Sequence, residues 1–340
     1  MASLHPQPGA IRAMALIRIA EDLAQHRAGL EPVLSRRSLS LTQLKDPYAL
    51  LPLHDYVQIF EELAALAARP ALGAMMGQSH RPADIGPVGI LFSLSASPAR
   101  GFERLARLLA AFQSGTNAAL VRNGAETSWV YKLNRADIWP RRQDAEYAIS
   151  ATCAMVRSLR GTSWSPIEVQ FEHVAPADPQ VLLMLRNILR CPISFGHAAN
   201  ALVMDSREMD QPCHREDTAL IAVLERHLAD LHSQTAQSDT LRQRVEAALD
   251  LLLGQRSVTL PLVASTLGMP ARTLQRRLNA QGLTLRVMLR ERRLATAEHR
   301  LRQGDTSITQ MAQRLGYADP TSFSRAYRHW TGDAPSRRRA

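Results

Sequence analysis

The strongest constraint on this chain lies in residues 241–340, where one apolar pattern occurs twice. In the first copy it runs Leu260, Val263, Ala264, Leu267, Gly268, Leu274 and Leu278; in the second, Ile308, Met311, Ala312, Leu315, Gly316, Phe323 and Tyr327. The offset is 48 residues up to the glycine and 49 beyond it, so one unit recurs with a single extra residue in its turn. Spacings of three and four residues put the apolar groups on one helical face. Each copy therefore reads as a helix, a glycine-bearing turn and a second helix with a free outer face, the helix-turn-helix arrangement. The segment is expected to be an all-α domain of two such units joined by a linker helix.

The division of charge indicates what such a domain meets. The 340-residue sequence carries a formal net charge of +10. Residues 241–340 hold 18 arginines, no lysine and seven carboxylates, a net of +11, which leaves the other 240 residues at −1. A basic excess confined to the repeated segment is the footprint of a polyanion partner, and nucleic acid is the commonest one. Arginine outnumbers lysine 39 to 2 throughout, so the choice of arginine carries little weight by itself. Cys153, Cys191 and Cys213 form an odd set without CxxC spacing, which suggests neither a disulfide framework nor a zinc site; no cofactor is implied. Arg12 and Arg18 interrupt the apolar residues near the N-terminus, so neither a signal peptide nor a membrane span is expected, and the expected location is cytoplasmic.

Residues 1–232 read as an α+β domain. Helical spacing covers Ala10 to Arg27, Tyr56 to Ala68 and Phe102 to Phe112, while Arg81 to Pro98 is broken by Pro82, Gly86, Pro87, Gly89 and Pro98 and is expected to be irregular. Asn123-Gly124 between two β-rich runs predicts a hairpin, and further strands are expected at Ile167 to Phe171, Ile193 to Phe195 and Ala201 to Met204. Trp129, Tyr131 and Trp139 lie near Arg141, Arg142, Asp144 and Glu146 in sequence, an aromatic wall beside charged groups that could touch a small-molecule effector. The alternative is that these aromatics are core, and that Asp144 and Glu146 meet the dipole of a helix running to Leu159. Leu220, Leu224, Leu228 and Leu231, with Ile221 beside them, form a stripe that fits a second subunit or its own domain equally well. Residues 233–240 have no large apolar group and read as a linker.

Pro212-Cys213-His214-Arg215 resembles the site of DNA O6-alkylguanine methyltransferases, in which a His-activated cysteine takes the alkyl group. Here Glu216-Asp217 and a helix follow, and the string precedes the basic region. A loop cysteine is the favoured reading.

In the first repeat, Pro270 to Leu278 reads as a helix opened by proline. Leu274 and Leu278 share one face, and Arg272, Gln275, Arg276 and Asn279 share the other. Arginine can bridge guanine O6 and N7, and glutamine adenine N6 and N7, in the major groove. In the second repeat Phe323 and Tyr327 face inward, while Thr321, Ser324, Arg325 and Arg328 recur at the outward positions. Between the units, Thr284 to Gln303 reads as one helix; twenty residues at ~1.5 Å each span ~30 Å. That approaches the ~34 Å of one duplex turn, so two recognition helices could enter successive major grooves on one DNA face, with a bend in the duplex.

Arg272-Thr-Leu-Gln-Arg-Arg-Leu278, Gly282, Arg293-x3-Ala297, Ile308-x2-Met311-Ala312-x2-Leu315-Gly316-Tyr317-x-Asp319 and Phe323-Ser-Arg-Ala-Tyr327-x2-Trp330-x-Gly332-x2-Pro335 resemble the signature of AraC/XylS-type transcriptional regulators. More loosely, Pro166 to Pro176 and Ile193-Ser-Phe195-x4-Asn200 to Pro212 are similar to the arabinose-binding-like regulatory domain of the ornithine-utilisation-regulator subgroup. The chain departs from many relatives in ending Arg337-Arg-Arg-Ala, without an aromatic before the basic tail. The resemblance implies a non-enzymatic, ligand-responsive activator that binds promoter DNA through both units and touches RNA polymerase, commonly its sigma subunit, from the second; a homodimer formed through the effector domain is expected beside it. It carries base-reading positions onto Arg272, Gln275 and Arg276 in the first unit and Thr321, Ser322, Ser324 and Arg325 in the second, with backbone contacts at Thr273 and Arg328. A sequence-tolerant architectural DNA-binding protein would share the charge and the bend, and remains the competing reading.

Overall fold

The structure is a computed structural model that describes residues 9–22, 27–134, 138–235, 241–253, 258–303 and 307–335. It divides into two compact units, residues 1–195 with 200–236, and residues 237–340 with 196–199.

The first unit is α+β. It opens with a strand, β1 (Ala10–Arg12), then α1 (Met14–Asp22) and α2 (Arg27–Ser35). β2 (Leu50–Pro52) pairs antiparallel with β1, Ile11 opposite Leu51. The helix expected from Ala10 therefore starts later, and Leu23, assigned to it, lies outside the described residues. Tertiary pairing overrides the helical spacing here: Ile11 is buried from the strand, and Arg12 donates to the Ala111 and Tyr48 carbonyls at 2.6 and 2.8 Å.

Next come α3 (Leu53–Leu66), α4 (Leu72–Gln78), α5 (Pro87–Ser93) and α6 (Pro98–Leu108). The segment expected to be irregular holds a 3-10 turn, Pro82–Ile85, and then α5. Pro87 stands in the first turn of α5, where a missing N–H removes no helical bond, and Gly86 supplies the positive φ of +64° ahead of it.

The expected hairpin forms from β3 (Thr116–Asn123) and β4 (Glu126–Leu133). Asn123 still pairs with Glu126, so the connecting residues are Gly124 and Ala125, one position beyond the expected pair. Gly124 takes the positive φ, +63°. The unit continues with α7 (Arg142–Arg160), β5 (Glu168–Phe171), α8 (Pro179–Leu189), β6 (Ile193–Phe195), β7 (Asn200–Asp205), α9 (Ser206–Asp210) and α10 (Thr218–Thr235). The sheet order is β3-β4-β7-β5-β6, antiparallel except between β5 and β6.

α7 is the centre of this unit, packed against α3, α4 and α5 and against strands β4, β5 and β7. Two glycines let α4 come close to it. The Gly73 N–H donates to the Gln143 side chain at 2.8 Å, and a Cβ on Gly77 would stand 2.6 Å from the Tyr147 carbonyl oxygen. The leucine stripe of α10 is used within its own domain: Ile221 and Leu228 are buried, and Leu224 and Leu231 pack on the same core. Leu220 and Val223 remain exposed. α10 runs through Thr235, three residues into the segment read as a linker; residues 236–240 lie outside the described residues.

The second unit is all helical: α11 (Leu241–Leu252), α12 (Leu260–Thr266), α13 (Ala271–Ala280), α14 (Leu285–Gln303), α15 (Ile308–Arg314) and α16 (Pro320–Thr331). The repeated glycines have one task, a positive φ at the turn: Gly268 takes +65° and Gly316 +71°. Local chemistry starts the helices. The Thr259 hydroxyl accepts from the Leu262 N–H, Ser307 and Gln310 form a capping box, and Asp319 accepts from the Ser322 N–H. Val245, Leu249, Val263, Ala264, Leu274 and Leu278 are buried in the first repeat; Met311, Ala312, Leu315, Phe323 and Tyr327 form the core of the second with Ala297 and Leu301 of α14. Neighbouring arginines tie α14 to both repeats. Arg292 forms a two-pronged ion pair with the buried Asp250 of α11, and Arg293 stacks over the Tyr317 ring at 4.6 Å.

Candidate functional site

Two places in the chain gather the candidate functional residues. The first is the outer surface of the paired recognition helices. On α13, Leu274 and Leu278 are buried while Arg272, Gln275, Arg276 and Asn279 are exposed, as the i, i+3, i+4, i+7 spacing requires. Thr273 is half-buried at the edge of that face. Pro270 caps α13 from outside, not as its first helical residue; Pro320 takes the first position in α16. Among the described residues, none hydrogen-bonds or ion-pairs with the side chain of Arg272, Gln275 or Arg276, so these side-chain donors are free for a partner.

α16 is built alike but its hydroxyls are engaged. Phe323 and Tyr327 are buried; Thr321, Ser322, Arg325 and Arg328 are exposed. The Ser322 hydroxyl donates to Asp319 at 2.7 Å, and the half-buried Ser324 hydroxyl donates to the Pro320 carbonyl at 2.8 Å. Both serines have given their one donor to the fold and keep only acceptor capacity. Hydrogen bonds from the Ser322 side chain and backbone hold the Asp319 carboxyl below its usual range, with the Arg325 charge adding to the effect. Sequence spacing expected these positions to face outward, as Thr321, Arg325 and Arg328 do, but could not show that Ser324 is half-buried or that the serine donors are internally used.

The second place is a partly open cavity of about 70 Å³ in the first unit. β4 contributes Trp129 and Tyr131, α3 contributes Tyr56, and α7 contributes Asp144, Tyr147, Ala151 and Met155. Gln113 donates to the Tyr131 hydroxyl at 3.1 Å, and that hydroxyl donates to Asp144 at 2.9 Å. Burial drives the Asp144 carboxyl up to about 7, against the lowering effects of Tyr131 and Arg141. His80 sits 3.1 Å from the Tyr147 hydroxyl on the same wall.

Trp129 and Tyr131, anticipated as effector contacts, are thus brought together. Trp139, Arg141 and Arg142 are not among the lining residues. Trp139 is exposed and lies over the Arg141 guanidinium, which is buried against Glu172 at 2.5 Å. Arg142 is held by Glu146 at 2.6 Å. Their charges are committed to carboxylates in the fold, a pairing that nearness in sequence does not reveal for Glu172. Glu146, expected to meet the dipole at the helix start, is fully buried, and burial raises its carboxyl to about 7 despite Arg142. Tyr56, Tyr147 and His80 were not anticipated, because only the packing of α3, α4 and α7 assembles them.

The Cys213 string lacks the arrangement a transfer site needs. His214 sets one ring nitrogen 3.0 Å from the Ser93 carbonyl and the other 3.2 Å from the Arg215 carbonyl, so neither faces the thiol.

Residues 28–213 match the family described as the arabinose-binding domain of AraC transcription regulator, N-terminal, and residues 263–340 match one described as helix-turn-helix domain. The HTH-type transcriptional regulator VirS of Mycobacterium tuberculosis is 26% identical over 295 residues, covering 86% of this chain and 85% of VirS. The ornithine utilization regulator of Pseudomonas aeruginosa is 23% identical over 297 residues, with coverage of 86% and 85%. Among solved structures, the transcriptional regulator CdpR from Pseudomonas aeruginosa aligns over 93% of this chain and 98% of its own, at 22% identity and a TM-score of 0.43. The arabinose-binding-type match spans more than half of the chain, and the repeated basic helices behind it carry the DNA-binding match: this protein belongs to the AraC family of DNA-binding transcriptional regulators.

Proposed function

We propose that the protein is a sequence-specific, effector-responsive activator that lays α13 and α16 into successive major grooves of promoter DNA. The observation that carries this reading is the pair of recognition helices with apolar faces buried and polar faces outward, in the part of the chain that holds the positive excess. Arg272, Gln275 and Arg276 read bases; Thr321 and Arg325 read more weakly, Ser322 and Ser324 serve as acceptors, and Thr273 and Arg328 bind phosphates. The cavity of the first unit receives a small-molecule effector, with Trp129 and Tyr131 in its wall. The second repeat contacts RNA polymerase, through its sigma subunit, and a homodimer forms with Leu220 and Val223 of α10 as its exposed apolar contribution.

The test is binding of the full chain to its selected operator and to single-base variants of it. Arg276→Ala is expected to cost ~1 to 3 kcal/mol and to relax discrimination at one base pair. Unchanged affinity and unchanged preference would overturn the assignment of α13.

A further inference from the structure

We propose that the cavity of the first unit takes a small hydrophobic monoamine, its one ammonium group facing Asp144 and its apolar body against the aromatic and aliphatic wall. The proposal rests on the reading of this cavity as the effector site and names the class of ligand it selects. Among the described residues, Asp144 is the one carboxylate lining the cavity, and no lysine or arginine lines it. A buried carboxylate gains most from a partner of opposite charge that also hydrogen-bonds. Tyr131 donates to Asp144 and is itself held by Gln113, so the carboxylate is oriented and the rest of its acceptor capacity is available. The rings of Tyr56, Tyr131, Tyr147 and Trp129 suit a cation near their faces and a hydrocarbon along them.

The same lining rejects other ligands. Among the described lining residues a ligand carboxylate or phosphate would find no lysine or arginine, only the imidazole of His80 beside Tyr147, and a second ammonium would find no second acid. Free amino acids, organic acids and diamines are therefore disfavoured, and one charge with an apolar body is the composition that leaves nothing buried and unpaired.

The charged and titratable groups around Asp144 are Tyr131 on β4, Tyr56 and Glu61 on α3, Arg141 at the head of α7, and His80 with Tyr147 on the cavity wall. Because burial places Asp144 at about 7, an ammonium ligand must displace a proton in mildly acidic solution. Its affinity should therefore rise as the pH passes upward through neutrality.

The experiment is calorimetric titration of the full-length protein with n-hexylamine, 1-hexanol and hexanoate at about pH 6 and about pH 8. Hexylamine is expected to bind about tenfold or more tightly than hexanol, and more tightly at the higher pH, while hexanoate does not bind. Asp144→Asn keeps the side-chain volume and an acceptor for Tyr131. It is expected to lose about tenfold or more in hexylamine affinity while still binding hexanol, which reports that the cavity is intact. If hexanol or hexanoate binds as tightly as hexylamine, or Asp144→Asn leaves hexylamine affinity unchanged, the amine class is overturned and the cavity stands as a ligand site. If none of the three probes binds, the effector-site reading is overturned with it.

Discussion

At the scale of single residues, function turns on which donors the fold leaves free. Arg276 is exposed and unengaged, whereas the Ser324 hydroxyl already serves the Pro320 carbonyl. Ser324→Ala should therefore change operator affinity by less than ~0.5 kcal/mol, where Arg276→Ala costs ~1 to 3 kcal/mol; mobility-shift titrations of the two variants on one operator give the comparison. Buried acids supply a second residue-scale outcome. The folded-state pKa of Asp144, about 7, lies above its unfolded value of about 4, so the native state binds more protons than the unfolded chain between these limits. Asp144 therefore costs stability progressively as pH rises from about 4 to about 7, and no further above that. The thermal stability of Asp144→Asn relative to the wild type should rise across this window and then level off. Glu146 follows the same sign, while His173, lowered to about 4 by burial, acts oppositely and loses stability as pH falls from about 6.5 to about 4. The difference between variant and wild type isolates Asp144 from both.

At the scale of elements, α4 packs closely against α7, the helix that supplies Asp144, Tyr147, Ala151 and Met155 to the cavity. Gly77→Ala would place a methyl group 2.6 Å from the Tyr147 carbonyl and should destabilise the first unit by ~1 to 3 kcal/mol, read by chemical denaturation followed at its tryptophans. What the sequence revealed divides along the same line between local and distant causes. The second unit was legible because its signals are local: three- and four-residue apolar spacing and glycines in the turns between helices. β1 was not, because Ile11 becomes a strand residue only when Leu51 lies beside it. α5 was hidden by Pro87 and Gly86, which look like breakers but start a helix. Trp129 and Tyr131 were visible as an aromatic face, but Asp144 looked like an ordinary first-turn acid until α3 and β4 enclosed it. Arg141 and Arg142 looked available until Glu172 and Glu146 were found to hold them.

At the scale of the whole molecule, the repeats must be held at a fixed spacing if one protein is to read two grooves. α14 contains 19 residues, ~28 Å at ~1.5 Å each, and its adjacent Arg292 and Arg293 grip the first and second repeats through Asp250 and Tyr317. Tyr317→Leu should loosen the second grip. Its expected signature is weaker binding to a full operator with unchanged affinity for the half recognised by α13, measured on duplexes carrying one or both halves. The claim on which the account stands is sequence-specific reading by both repeats, and the most direct measurement is selection of binding sites from a random duplex library by the full-length protein. The account predicts one bipartite motif with half-sites about one helical turn apart. Alanine at Arg272, Gln275 and Arg276 should erase one half more completely than alanine at Thr321 and Arg325 erases the other. A library that yields no motif, with scrambled duplexes bound as tightly as any selected one, would contradict it and leave a sequence-tolerant DNA-binding protein in its place.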